Sequence, residues 1–124
     1  MTEAELQERF KAFAIAVYQF TRLFPKDPVY IKIEDQLIRC SSSAASNYRA
    51  ACRGKSIADF INKLCTVEEE TDESIFWFQY TNGIDKKWEP ETKPLIKEGN
   101  ELLSIIVASI KTAKKRNIKL KTRY

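Results

Sequence analysis

From the start of the chain, apolar side chains recur at alternating spacings of four and three: Leu6, Phe10, Phe13, Val17, Phe20 and Phe24. Residues three and four apart share one face of an α-helix, so this stripe predicts a helix over roughly residues 3–24. Thr2 followed by Glu5 has the form of a capping box, and Pro25 stops the helix. The segment "KDPVY" opens a second helix over roughly 28–53, with Asp27 as N-cap and Pro28 where a missing N–H costs nothing. Its stripe is Ile33, Leu37, Cys40, Ala44, Tyr48 and Ala51, and Gly54 is expected to end it in a left-handed conformation.

Ser56 with Asp59 reads as the start of a third helix over roughly 56–82, closed by Gly83. Ile57, Phe60, Ile61, Leu64, Val67, Thr71, Ile75 and Phe78 form its apolar face. After the loop "GIDKKWEPET", a fourth helix is expected over roughly 92–116, carrying Ile96, Leu103, Ile106, Ile110 and Ala113. Four long helices with short connections predict an all-α, antiparallel up-down-up-down four-helix bundle over residues 1–116, with a basic C-terminal tail at 117–124.

The stretch "RCSSSAASNYRAACRGKS" lies within the second helix, so its serines and alanines are the small-residue part of a core stripe rather than a loop. Small side chains let a neighbouring backbone come close. Opposite that stripe lie Arg39, Ser42, Ser46, Arg49 and Arg53, and opposite the third helix's stripe lie Asp59, Thr66, Glu70, Glu73 and Trp77. One outer face is basic and the other acidic with an aromatic. They are either two solvated faces or the two sides of a subunit interface, in which Arg39, Arg49 and Arg53 meet Asp59, Glu70, Glu73 and Trp77 of another copy. Glu68 falls within the third apolar stripe, either at a loosely packed edge or paired with a basic side chain of another helix. Trp88 either caps the bundle end or stands exposed as a contact for another protein.

Charge changes the picture once it is located. Residues 111–124 hold seven of the chain's 21 Lys and Arg and none of its 17 acids, which leaves residues 1–110 with fourteen bases and a net charge of −3. The basic excess is thus confined to Lys111, Lys114, Lys115, Arg116, Lys119, Lys121 and Arg123, with Tyr124 placed to stack on a base. The first four would extend the fourth helix and the rest would form an arm. The alternative is a solubilising tail that suits the negative end of the helix dipole.

There is no histidine, so no imidazole serves a Ser or Cys nucleophile as base. Neither a glycine-rich phosphate loop nor a C-x-x-C pair is present, and the expectation is a non-enzyme with no metal, no cofactor and no small-molecule substrate. Apolar runs are too short for a membrane span, and the acidic start "MTEAELQERF" lacks a signal peptide's form, which predicts a cytoplasmic protein with reduced cysteines.

Residues Ser46 to Phe78, "SNYRAACRGKSIADFINKLCTVEEETDESIFWF", resemble the bacterial four-helix bundle family of 23S ribosomal RNA intervening-sequence proteins. The matching positions are Asn47, Tyr48 and Arg49; Arg53 and Ser56; Asp59 and Phe60; Lys63 and Leu64; and Glu70, Glu73, Ser74, Phe76 and Trp77. "LFPKDPVYIKIEDQLIRCSSS" is similar to the family's Phe-Pro turn and its approach to Arg39. One departure is Ala50, where the family often carries Glu directly after Asn-Tyr-Arg. The resemblance implies a homo-oligomer, a pentameric ring, and an association with RNA or DNA. A protein–protein scaffold that binds no nucleic acid is the competing expectation.

Overall fold

A computed structural model describes residues 1–122, with side chains as far as Leu120. It is a four-helix bundle: α1 (Glu3–Thr21), α2 (Pro28–Ala51), α3 (Ile57–Ile84) and α4 (Glu89–Thr122), with a single 3₁₀ turn at Lys86–Trp88 before α4. Helix starts follow local chemistry. Thr2 and Glu5 form the reciprocal capping box, Asp27 accepts from the Val29 N–H, and Ser56 accepts from the Asp59 N–H. Each side chain satisfies a backbone donor that the first helical turn leaves without a partner.

Cross-helix contacts fix an antiparallel order. Phe10 of α1 stacks on Tyr48 of α2 at 5.3 Å between ring centroids. Cys40 of α2 touches Ser74 of α3 at 3.1 Å (Sγ to Oγ). Thr92 of α4 donates to Asn82 of α3 at 2.9 Å. Arg9 of α1 closes the square by binding Glu98 and Glu101 of α4. Phe10, Phe13, Val17, Leu37, Leu64, Val67, Phe78, Leu102 and Ile106 fill the interior.

The small-residue stretch does bring α2 against α3. Cys40 and Ala44 are fully enclosed, and the neighbouring hydroxyls bond backward along their own helix, Ser41 to the Leu37 carbonyl and Ser42 to the Ile38 carbonyl, both at 2.7 Å. Thr71 and Thr81 of α3 do the same with the Val67 and Trp77 carbonyls. The buried hydroxyls of Ser41, Thr71 and Thr81 thus sit inside the bundle at no hydrogen-bonding cost, while Ser42 is exposed.

Several boundaries differ from the sequence expectation. α1 ends at Thr21, and the Leu23 and Phe24 N–H groups turn back to the Phe20 and Thr21 carbonyls. α2 ends at Ala51, Cys52 and Arg53 turn, and Gly54 follows them outside the left-handed region, since none of the described residues has a positive φ. What glycine supplies there is room: a Cβ would stand 2.9 Å from an Asp59 carboxylate oxygen and 3.0 Å from the Ala51 carbonyl. α3 continues through Gly83 to Ile84.

α4 starts at Glu89, because Pro90 lies in the first turn where no N–H is needed, and Pro94 forfeits one bond just inside it. The helix then runs past residue 116 to Thr122, so residues 117–122 are its last turns rather than an arm. No glycine or proline interrupts that segment, and cations favour the negative end of a helix. Leu102, not Leu103, is the core leucine of α4; Leu103 is half-buried.

Trp88 is buried. Its ring meets Phe20, Phe24 and Tyr30 at 5.3–6.0 Å, and its indole N–H donates to the Tyr30 hydroxyl at 3.0 Å. It plugs the end where α1 leads into α2 and α3 into α4, which removes the loop tryptophan as an exposed contact. Glu68 is half-buried at the rim of α3 and has no ion pair among the described residues.

Candidate nucleic-acid interface

The opposite end of the bundle holds the start of α1, the α2–α3 turn and the last turns of α4. Gly99 sits against Ile75 of α3, and Phe60 lines the same surface depression as Ala113. Counted along two antiparallel helices, these contacts put Ile57, the first residue of α3, level with about residue 117 of α4. The remainder of α4 therefore projects beyond its neighbour. At 34 residues the helix is about 51 Å long, against about 28 Å for the 19 residues of α1.

Lys111, Lys114, Lys115 and Arg116, in the turns leading up to that overhang, and Lys119 within it are all exposed. Among the described residues, Lys111, Lys114, Lys115 and Arg116 take part in no ion pair. The α2–α3 turn adds Arg53 and Lys55, both exposed, and Arg49 lies one turn back on α2. Lys55 and Arg116 border one depression of about 330 Å³, together with Glu3, Cys52 and Ser56. Charges distant in sequence thus form a single basic end. The Lys121 side chain, Arg123 and Tyr124 lie outside the described residues.

The outer arginines and acids are distributed differently. Arg39 binds Glu70 (Nη1 to Oε2, 2.8 Å) and Glu73 (Nη2 to Oε2, 2.5 Å) of its own chain. The Trp77 indole N–H donates to the same Glu73 oxygen at 3.1 Å. Burial works against the Glu73 charge, but hydrogen bonds from Arg39 and Trp77 win and hold its carboxyl below the usual range. The Glu73 hydrogen bond in turn raises the Arg39 guanidinium. So the structure brings together Arg39, Glu70, Glu73 and Trp77 within one copy. Arg49 and Arg53 do not reach them, and Asp59 binds Lys63 one turn along α3 at 2.7 Å.

The Arg9–Glu98–Glu101 clamp between α1 and α4 was not read from the sequence. Its partners are 89 and 92 residues apart, and nothing local marks them. Tyr80 was also passed over, and Phe76 was read only as a position of the resemblance, although a helical projection sets both away from the core stripe of α3.

A family model described as 23S rRNA-intervening sequence protein matches residues 2–108. Among solved structures, the chain is similar to a protein of unknown function from the S23 ribosomal protein family of Bacteroides thetaiotaomicron VPI-5482. That likeness has a TM-score of 0.81 and 21% identity, and covers 90% of this chain and 99% of the other. No curated protein matches. No helix among the described residues is long and apolar enough to cross a membrane.

Proposed function

The chain belongs to the 23S rRNA-intervening sequence protein family, and from that premise we propose that it is a non-enzymatic homo-oligomer whose basic end holds RNA or DNA by the phosphate backbone. The observation that carries this reading is that Arg116 of α4 and Lys55 of the α2–α3 turn border one depression, at the end of the bundle where Lys111, Lys114, Lys115, Lys119 and Arg53 are also exposed. These cations stand exposed at one end of a bundle whose first 110 residues are net acidic. They lie on a helix and a tight turn. Contact with phosphate then costs less ordering than an unstructured arm would.

The family match ends at residue 108, before the basic segment begins. Nucleic-acid binding is therefore argued from this chain's own side chains. Point charges on lysines suit phosphate without selecting a base, so binding is expected to be non-specific and salt-dependent. In a ring of copies, five by the resemblance, the basic ends would combine and raise avidity without any further contact.

The test is fluorescence anisotropy with an RNA hairpin and a DNA duplex across a salt series. It compares the unmodified chain with a variant carrying Lys111→Gln, Lys114→Gln, Lys115→Gln, Arg116→Gln and Lys119→Gln. Each phosphate contact contributes roughly a factor of eight at 0.1 M salt, so the variant should bind about 100-fold more weakly or worse, with a shallower salt slope. Absence of binding at low salt, or affinity unmoved by neutralisation, sinks the reading.

A further inference from the structure

We infer that copies of this chain join head to tail, with the exposed aromatic ridge of α3 on one copy seated in the groove between α1 and α2 of the next. The inference rests on the homo-oligomeric reading above and names the surfaces that meet. The ridge is Phe76 and Tyr80, exposed by 50% and 45%, an unusual pair of large apolar side chains to leave in water. Their rings lie 6.0 Å apart, and both pack against Trp77, at 5.0 and 5.3 Å, which Glu73 holds by its indole N–H. The ridge is thus braced before any partner arrives, which lowers the ordering cost of docking.

The groove is a depression of about 520 Å³ lined mainly by apolar surface. It is open because α2 presents only the short side chains of Ser42, Ala45 and Ser46 there, and its walls include Ile15 and Tyr18, exposed by 50% and 47%. Charge identifies the occupant. Two bases, Lys11 and Arg49, border the groove against one acid, Glu8. Arg49 has no ion pair among the described residues, and Lys11 meets only Glu8, at 3.2 Å, in a highly exposed pair that is worth little. On the ridge side, Glu69 and Asp72 are exposed and carry no ion pair among the described residues. A basic-edged apolar groove therefore complements an acid-flanked apolar ridge on the same molecule.

The heights agree as well. Counting from the Phe10–Tyr48 and Cys40–Ser74 contacts puts Phe76 level with Ile38 and within roughly 3 Å of the height of Tyr18. The same count puts Glu69 level with Ala45 and within roughly 3 Å of the height of Lys11. A rotation about an axis along the bundle joins surfaces of equal height, so the contact closes into a ring instead of climbing into a filament.

Light scattering on full-length chains tests this, using Phe76→Asp on the ridge and Ile15→Asp in the groove. Both positions are exposed, and far-UV circular dichroism checks that the variants keep their helices. The unmodified chain should be a multimer and each variant alone a monomer of about 14.4 kDa. An equimolar mixture should give a dimer, because the Phe76→Asp copy keeps its groove and the Ile15→Asp copy keeps its ridge. Glu69→Lys should weaken assembly, and adding Lys11→Glu should restore it. A multimer unaffected by either aspartate, or a mixture that stays monomeric, overturns the ridge-in-groove pairing and leaves homo-oligomerisation standing. A monomeric unmodified chain at high concentration overturns both.

Discussion

The two ends of the bundle are built on opposite terms. At one end Trp88 is enclosed by Phe20, Phe24 and Tyr30, and its indole N–H is hydrogen-bonded. At the other, a glycine turn and the last turns of α4 leave a depression bordered by Lys55 and Arg116. Stability is concentrated where aromatic area is buried. The cationic end gives up packing and keeps its charges in water, where a phosphate chain can reach them.

The contrast is broken most directly at the aromatic end. Trp88→Ala should lower unfolding free energy by about 3–5 kcal/mol, as truncation of a buried aromatic does, in urea denaturation followed by circular dichroism. Nucleic-acid affinity of the folded fraction should not change. At the basic end, Gly54→Ala forces a Cβ against the Ala51 carbonyl and the Asp59 carboxylate, and should cost about 1–3 kcal/mol. A neutral or stabilising result there would mean that the turn relaxes freely, and the close approach would not matter.

Thiol chemistry sharpens the comparison. Burial pushes the Cys40 thiol up to about 11, and Cys40 is wholly enclosed, whereas Cys52 and Cys65 are half-buried. With a thiol-reactive dye at pH 8, Cys40 should label only as fast as the bundle unfolds, and after the other two. Peptide mapping of the labelled chain gives the order.

Acid should release the Arg39 clamp. The Glu73 carboxyl is held below its ordinary value. A carboxyl depressed in the folded state contributes stability above its unfolded pKa and loses it as pH falls through the folded one. Stability should therefore decline below the usual carboxylate range, and Glu73→Gln should flatten that decline in thermal melts between neutral and acidic pH. The smallest effect on stability belongs to the five Lys and Arg replacements on α4, within about 0.5 kcal/mol, even though the same variant should lose nucleic acid.

How far the sequence carried these features depended on how local their physics is. Capping pairs and the four stripes depend on neighbours within one turn, and Thr2–Glu5, Asp27 and Ser56 were legible for that reason. Leu102 and Leu103 are adjacent and equally apolar, and which one enters the core follows from how α4 is rotated against α3, where Gly99 packs on Ile75. The complementary stripes of Arg39 and Glu70–Glu73 were visible, but not that one chain supplies both sides. The basic cluster was read as a tail alone, because the contribution of Arg53 and Lys55 exists only once the hairpin turn returns to the end of α4.

The overhang of α4 has a thermodynamic consequence of its own. Its final turns extend beyond α3, where helix propensity has to do the work that packing does elsewhere, and short helical segments are marginal in water. Lys111, Lys115 and Lys119 also recur every fourth residue, a spacing at which like charges repel. A polyanion lying along them removes that repulsion. Binding and helix order at this end are therefore coupled: whatever neutralises the lysines also stiffens the rod that presents them, and each makes the other more favourable.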